Sequence, residues 1–157
     1  MVGNMQGLKI AILGLGEAGA RFANDLVDLG VQVTGYDPQL IQTLDNRVQL
    51  AASAVEAVQG ADIIFSVNLS AVSIELAEEL AVHLQPDQFF CEMNTSGPEK
   101  KKKIAAVLEA SGVKVIDLAI MAPVPPKGIF TPLLASGIHT EAFLQRIKPL
   151  NFAISKV

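Results

Sequence analysis

At 157 residues the chain fits one domain and is long enough to bury a substantial core. Half of its residues are apolar and 18% are charged, a balance that suits a sheet covered on both faces. A formal net charge of -4 with no basic block covering one face gives nucleic-acid binding little electrostatic support. No stretch approaches the roughly 18 uninterrupted apolar residues of a membrane span, and the polar Met1 to Gly7 does not read as a secretory signal. The single cysteine, Cys91, excludes an intrachain disulfide framework and a cysteine-based zinc cluster. It reads as a small core residue in a protein of the reducing cytoplasm.

Short apolar runs alternate with helix-like segments, the pattern of βαβ units on a mostly parallel, twisted sheet with helices on both faces. Leu8 to Leu13 reads as a first strand. Glu17 to Leu29 reads as a helix, with Ala18, Phe22, Leu26 and Leu29 on one stripe and Gly30 at its C-terminus. Val31 to Tyr36 is a second strand, ended by Asp37-Pro38 because proline cannot continue a ladder. A short helix over about Gln39 to Asn46 and a weak strand at Val48 to Ala51 are expected next. Ala61 to Val67 is the clearest later strand. Val72, Leu76 and Leu80 then mark an amphipathic helix with Ser70 or Ser73 as its cap. Asp87 to Met93 is a strand, and Ser96-Gly97-Pro98-Glu99 opens a helix with proline in its first turn. Val113 to Ile120 is a further strand. Pro123, Pro125, Pro126 and Pro132 break the pattern, since they cannot share a helix interior or a central strand. Phe130 to Ala135 and Phe152 to Val157 read as two more strands, with a helix near Thr140 to Ile147 between them.

The chemistry centres on Gly14-Leu15-Gly16-Glu17-Ala18-Gly19. Alone, a GxGxxG run is a weak signal. Here it follows a buried strand and opens a helix, the context in which it binds dinucleotides. Gly14 permits the tight turn, Gly16 lets a pyrophosphate approach the backbone, and Gly19 lets the helix pack on the strand. Helix N-terminal amides and the helix dipole then attract the anion. Tyr36 and Asp37 end the second strand at the roughly 20-residue interval of the carboxylate that bonds a ribose 2′-hydroxyl. That carboxylate repels a 2′-phosphate and favours NAD over NADP. Arg47 is the candidate exception, an arginine within reach of a phosphate from a neighbouring loop.

Ile12-Leu13-Gly14-Leu15-Gly16-Glu17-Ala18-Gly19 resembles the start of β-hydroxyacid dehydrogenases, which include 3-hydroxyisobutyrate and 6-phosphogluconate dehydrogenases. The resemblance continues through Asp62-Ile63-Ile64-Phe65-Ser66-Val67, Glu92-Met93-Asn94-Thr95-Ser96-Gly97-Pro98 and the segment Asp117 to Gly137, in family order. It implies a Rossmann-type NAD(P)-binding domain of an oxidoreductase that transfers hydride on a hydroxy-acid-like substrate. Val67, Asn68 and Leu69 would then lie against the adenosine-side ribose or the pyrophosphate, and Asn94 and Thr95 near the nicotinamide. An alternative for Asn94-Thr95-Ser96 is a helix cap before Pro98, and the two roles can coexist. Where the family usually has a serine and glycines that contact the substrate carboxylate, this chain has Met121, Ala122 and Pro123. Methionine offers no strong donor to an anion. The family's catalytic lysine, with an asparagine a turn later, belongs to a long helix beyond this segment, and its helical second domain is absent from the chain. No residue here takes those roles, so the chain alone is expected to bind cofactor without turnover.

The weaker signals read structurally. Lys100 to Lys103 forms a solvated helix end, or else attracts an anionic partner, with Ile104, Val107 and Leu108 as the buried stripe. His83 and His139 lack the neighbours of a metal site or triad, and no metal is expected. If a second domain normally covers the apolar surface near Met121 to Phe130 and the last strand, the chain is expected to self-associate into a homo-oligomer or aggregate. The runner-up function is a stand-alone module that senses dinucleotide without catalysis. An S-adenosylmethionine methyltransferase and an FAD-binding module, for which Ala23 fits an extended glycine motif, fit the order of the later motifs less well.

Overall fold

The computed structural model describes residues 7–67 and 74–157. Eight strands form one sheet in the order β3-β2-β1-β4-β5-β6-β7-β8. In chain order they are β1 (Lys9–Leu13), β2 (Gln32–Tyr36), β3 (Gln49–Leu50), β4 (Ile63–Ser66), β5 (Phe89–Glu92), β6 (Lys114–Ile120), β7 (Leu133–Ser136) and β8 (Ile154–Lys156). The helices described are α1 (Glu17–Asp28), α2 (Ala54–Val58), α3 (Ile74–Ala81), α4 (Pro98–Glu109) and α5 (Thr140–Ile147). The strands from β3 to β6 pair in parallel, β7 runs antiparallel to β6, and β8 is parallel to β7. This is the Rossmann-like doubly wound sheet expected from the sequence, with its order reversing between β1 and β4.

Alternation along the central strands builds two cores. Ile10 and Ile12 of β1 face α1 and α5, joined by Phe65, Cys91, Leu118, Phe22 and Phe143. Ala11 and Leu13 face α2, α3 and α4, with Ile64, Phe90, Ala77, Leu80, Ile104 and Leu108. Phe65 also packs against Phe22 and Phe152 with ring centroids 6.2 and 5.8 Å away, which ties the C-terminal segment to α1 and β4. Cys91 is free and fully buried, and burial pushes its thiol well above the usual cysteine range.

Three local expectations are corrected. Gln39 to Asn46 forms no helix. Leu40 and Ile41 are exposed, so a helix there would have no apolar stripe to bury. The segment is held by other means: Asp37 accepts from the Gln39 amide, and Asn24 accepts from the Asp45 amide. Second, α2 was not expected. Its start is a reciprocal cap in which Ser53 Oγ accepts from the Glu56 amide and Glu56 accepts from the Ala52 amide. Third, the strand expected from Phe130 begins only at Leu133, because Gly128–Phe130 is a 3₁₀ turn with Phe130 exposed. That turn is pinned to α1: Asp25 accepts from the Ile129 amide at 3.1 Å, and Arg21, paired with Asp25, donates to the Pro125 carbonyl.

Candidate functional site

The loops after β1, β2, β4, β5 and β6 all leave the same, carboxyl edge of the sheet, because these strands are mutually parallel. The glycine-rich turn occupies the middle of that edge. Gly14 takes φ +99°, a left-handed value that glycine alone adopts at little cost, and its amide donates to the Tyr36 carbonyl at 2.8 Å. The next amide, of Leu15, donates to Asp37 Oδ2 at 2.7 Å. Tyr36 and Asp37 are thereby fastened to the turn.

Gly16 caps α1 in an extended conformation without a side-chain hydrogen bond, and a Cβ built on it meets nothing within 4 Å. The first amides of α1 have no acceptor inside the helix, and the helix dipole stands behind them. Gly19 is the opposite case: a Cβ there would lie 1.9 Å from the Gly14 carbonyl oxygen. It lets α1 sit directly on the turn. An open, glycine-lined helix N-terminus beside a ribose-spaced carboxylate fits a dinucleotide.

Val67 follows β4, fully buried, and its amide donates to the Leu13 carbonyl at 2.8 Å. Asn68 and Leu69, and the proposed caps Ser70 and Ser73, lie outside the described residues. Asn94 follows β5 and is buried, whereas Thr95 is exposed. The Asn94 amide donates to Glu92 Oε1 at 2.8 Å and its Nδ2 to Ser66 Oγ at 3.2 Å. The N-cap position of α4 is Gly97, which carries no side-chain bond. Met121, Ala122 and Pro123 follow β6 with Met121 and Pro123 exposed, and the Met121 amide donates to the Pro132 carbonyl.

Arg47 is drawn away from this edge. Its guanidinium pairs with Asp28 and Asp45 at 2.6 and 2.7 Å and donates to the Val27 carbonyl. Val27 and Asp28 lie at the end of α1, where the chain turns into the start of β2, and Asp45 lies between β2 and β3, so the guanidinium sits at the strand end opposite to Asp37. The pairing lowers the Asp45 carboxyl to about 2 and raises the arginine further above its usual value.

Sequence reasoning does not single out Ser66 and Glu92 as site residues. Both are buried at the ends of strands that are otherwise apolar, and that mismatch is the signal available in the sequence. Burial pushes the Glu92 carboxyl above its usual value, opposed by bonds from Asn94 and by the nearby Lys101 charge. Lys101 itself pairs with Asp117 at 2.8 Å, while Lys102 and Lys103 are exposed. Among the described residues no group of three or more His, Cys, Asp or Glu is placed to hold a metal, and no helix is long and apolar enough to cross a membrane.

Residues 9–124 match the family model described as the NAD binding domain of 6-phosphogluconate dehydrogenase. The chain is 29% identical to an NAD-dependent L-serine dehydrogenase from Pseudomonas aeruginosa, over 94% of this chain and 52% of the relative. It is 26% identical to a 3-hydroxyisobutyrate dehydrogenase from the same organism, over 71% of this chain and 40% of the relative. Among solved structures, a conserved hypothetical protein from Sinorhizobium meliloti superposes with a TM-score of 0.84 at 25% identity, covering 98% of this chain and 55% of the other. The chain thus spans about half the length of the relatives it matches. With the turn, the carboxylate and the strand order in place, the chain belongs to the 6-phosphogluconate dehydrogenase family, as its NAD-binding domain.

Proposed function

We propose that the carboxyl edge holds the dinucleotide across β2, β1, β4 and β5, with the pyrophosphate over Gly14, Leu15, Gly16, Glu17, Ala18 and Gly19. Tyr36 and Asp37 meet the adenosine ribose, Val67 with Asn68 and Leu69 the middle of the cofactor, and Asn94 and Thr95 its nicotinamide end. The observation that carries this reading is the bond from the Leu15 amide to Asp37. It holds an acceptor at the flank of the turn, and a carboxylate has lone pairs left after its bonds to Leu15 and Gln39 for a ribose hydroxyl. The same carboxylate disfavours a 2′-phosphate, and Arg47 is engaged elsewhere, so NAD is the preferred cofactor.

When bound, the nicotinamide accepts or donates the hydride, and this chain's part is to orient it. In the whole enzyme a hydroxy-acid-like substrate lies against Met121, Ala122 and Pro123, with a proton-transfer group supplied from outside the segments described. Met121 is 59% exposed and gives this wall an apolar surface. The substrate's carboxylate is therefore anchored by groups other than these three side chains. The reducing cytoplasm is the compartment that suits this redox role and the free Cys91 thiol.

Calorimetric titration of the chain and of Asp37→Ala with NADH and NADPH tests the reading. The expected result is tighter binding of NADH than of NADPH, weakened about tenfold or more by the substitution. Equal binding of both cofactors, unaffected at Asp37, would overturn the ribose assignment.

A further inference from the structure

Three strongly polar side chains are buried at one point of the carboxyl edge. Ser66, Glu92 and Asn94 are 0%, 5% and 6% exposed. They stand where the chains leaving β4 and β5 separate. The two strand ends are stitched by backbone first, since the Met93 amide donates to the Ser66 carbonyl at 3.0 Å. Side chains then extend the stitch: Asn94 donates to Ser66 Oγ through Nδ2, and Glu92 Oε1 accepts from the Asn94 amide. One step further, Val67 is bonded to Leu13, the residue before the glycine-rich turn.

Stability alone does not explain a glutamate here. Burial pushes its carboxyl up, and its Oε2 is buried without a hydrogen-bond partner. An apolar residue would continue the run Phe89-Phe90-Cys91 without that cost. What the carboxylate adds is direction. By accepting from the Asn94 amide it fixes the backbone of the first residues beyond β5, and hence where Asn94 and Thr95 meet a ligand. Buried polar groups that cost stability and converge at a ligand-binding crevice are a signature of function.

We infer that Glu92 is a positioning residue which, with Ser66, sets the nicotinamide end of the site by fixing Asn94 between the ends of β4 and β5. This rests on the cofactor placement proposed above. Lys101 on α4 and Asp117 on β6 stand beside Glu92 and pair with each other at 2.8 Å; the lysine charge opposes, and the aspartate charge adds to, the upward push of burial on Glu92.

The test uses two ligands, NADH and ADP-ribose, which has the adenosine, pyrophosphate and ribose but no nicotinamide. Glu92→Ala is expected to weaken NADH about tenfold, as for loss of a buried charge-assisted acceptor, while changing ADP-ribose less than about twofold. Glu92→Gln keeps an oxygen acceptor for the Asn94 amide and is expected to restore most of the NADH affinity. Ser66→Ala, which breaks the stitch from the other strand, is expected to show the same selective loss as Glu92→Ala. Bound NADH should also change its fluorescence emission in Glu92→Ala, reporting a displaced nicotinamide. Equal weakening of both ligands would mark Glu92 as merely structural, and unchanged NADH binding would remove its role. If the unsubstituted chain binds neither ligand, the cofactor placement itself fails, and this inference with it.

Discussion

Replacing Gly19 with alanine puts a Cβ 1.9 Å from the Gly14 carbonyl oxygen and 3.3 Å from Ile12 Cγ2. Reaching ordinary van der Waals separation from that oxygen requires a shift of roughly 1 Å or more between α1 and the turn. The obstacle is backbone, so no side-chain rotation relieves it. Overpacking of this kind costs about 1–3 kcal/mol, and a backbone clash belongs at the upper end. The higher helix propensity of alanine offsets about 1 kcal/mol. The net loss of about 2 kcal/mol corresponds to a fall in Tm of roughly 4–8 °C for a chain of this size. Gly16→Ala supplies the control. Its added methyl meets nothing within 4 Å, so its effect on stability is confined to the poorer N-cap preference of alanine, less than about 1 kcal/mol. That methyl stands in the open space before the α1 amides, however, where a pyrophosphate must approach. Gly16→Ala is therefore expected to unfold close to wild type yet bind NADH at least about tenfold more weakly. Gly19→Ala loses stability and affinity together. Thermal unfolding by circular dichroism and NADH titration on the three proteins separate the cases. A Gly19→Ala chain that melts at or above wild type, or a Gly16→Ala chain with wild-type affinity, would refute the reasoning.

Other perturbations follow from the same contacts. Asp25→Ala removes the acceptor of the Ile129 amide and the partner of Arg21, and a loss of about 1–3 kcal/mol is expected in urea denaturation, with faster amide exchange at Ile129. Arg47→Ala should leave NADPH affinity unchanged, since its guanidinium is paired with Asp28 and Asp45 at the other edge, and a selective loss of NADPH binding would contradict that placement. Glu92 gives a pH dependence. Its folded-state carboxyl holds its proton more tightly than the unfolded one, so wild type loses stability relative to Glu92→Gln as pH rises from about 4.5 through the raised value. The stability of wild type minus that of Glu92→Gln should fall as pH rises from about 4 and level off well above the raised value. Urea midpoints of both proteins from pH 4 to 8 measure it, and a difference that rises with pH has the wrong sign.

The parallel core of the fold was legible because its strands are short solid apolar runs and α1 has a clean stripe through Ala18, Phe22 and Leu26. The site's centre was legible for a related reason: a glycine-rich turn carries its geometry in backbone, which glycine spacing records directly. Legibility failed where local pattern and packing part company. Gln39 to Asn46 has residues that tolerate a helix, but nothing covers Ile41, and side chains of Asp37 and Asn24 claim its amides instead. The helix α2 is too short to show a periodic stripe, although Ser53 followed by Glu56 three positions on is a capping-box signal. The start of β7 is hidden from local pattern because the Gly128–Phe130 turn before it is held by Asp25, a residue of α1 distant in sequence. The place of Arg47 is non-local in part, since beside its neighbour Asp45 it pairs with Asp28 at the end of α1.

The most direct test of the cofactor placement is an NMR titration of the isotope-labelled chain with NADH, following every backbone amide. The account predicts the largest shifts at Gly14 to Gly19, Asp37, Val67 and Asn94 to Thr95, with Gln32, Gln49 and Gly60 at the opposite edge of the sheet unmoved. Shifts concentrated at that opposite edge, or none at saturating NADH, would contradict it.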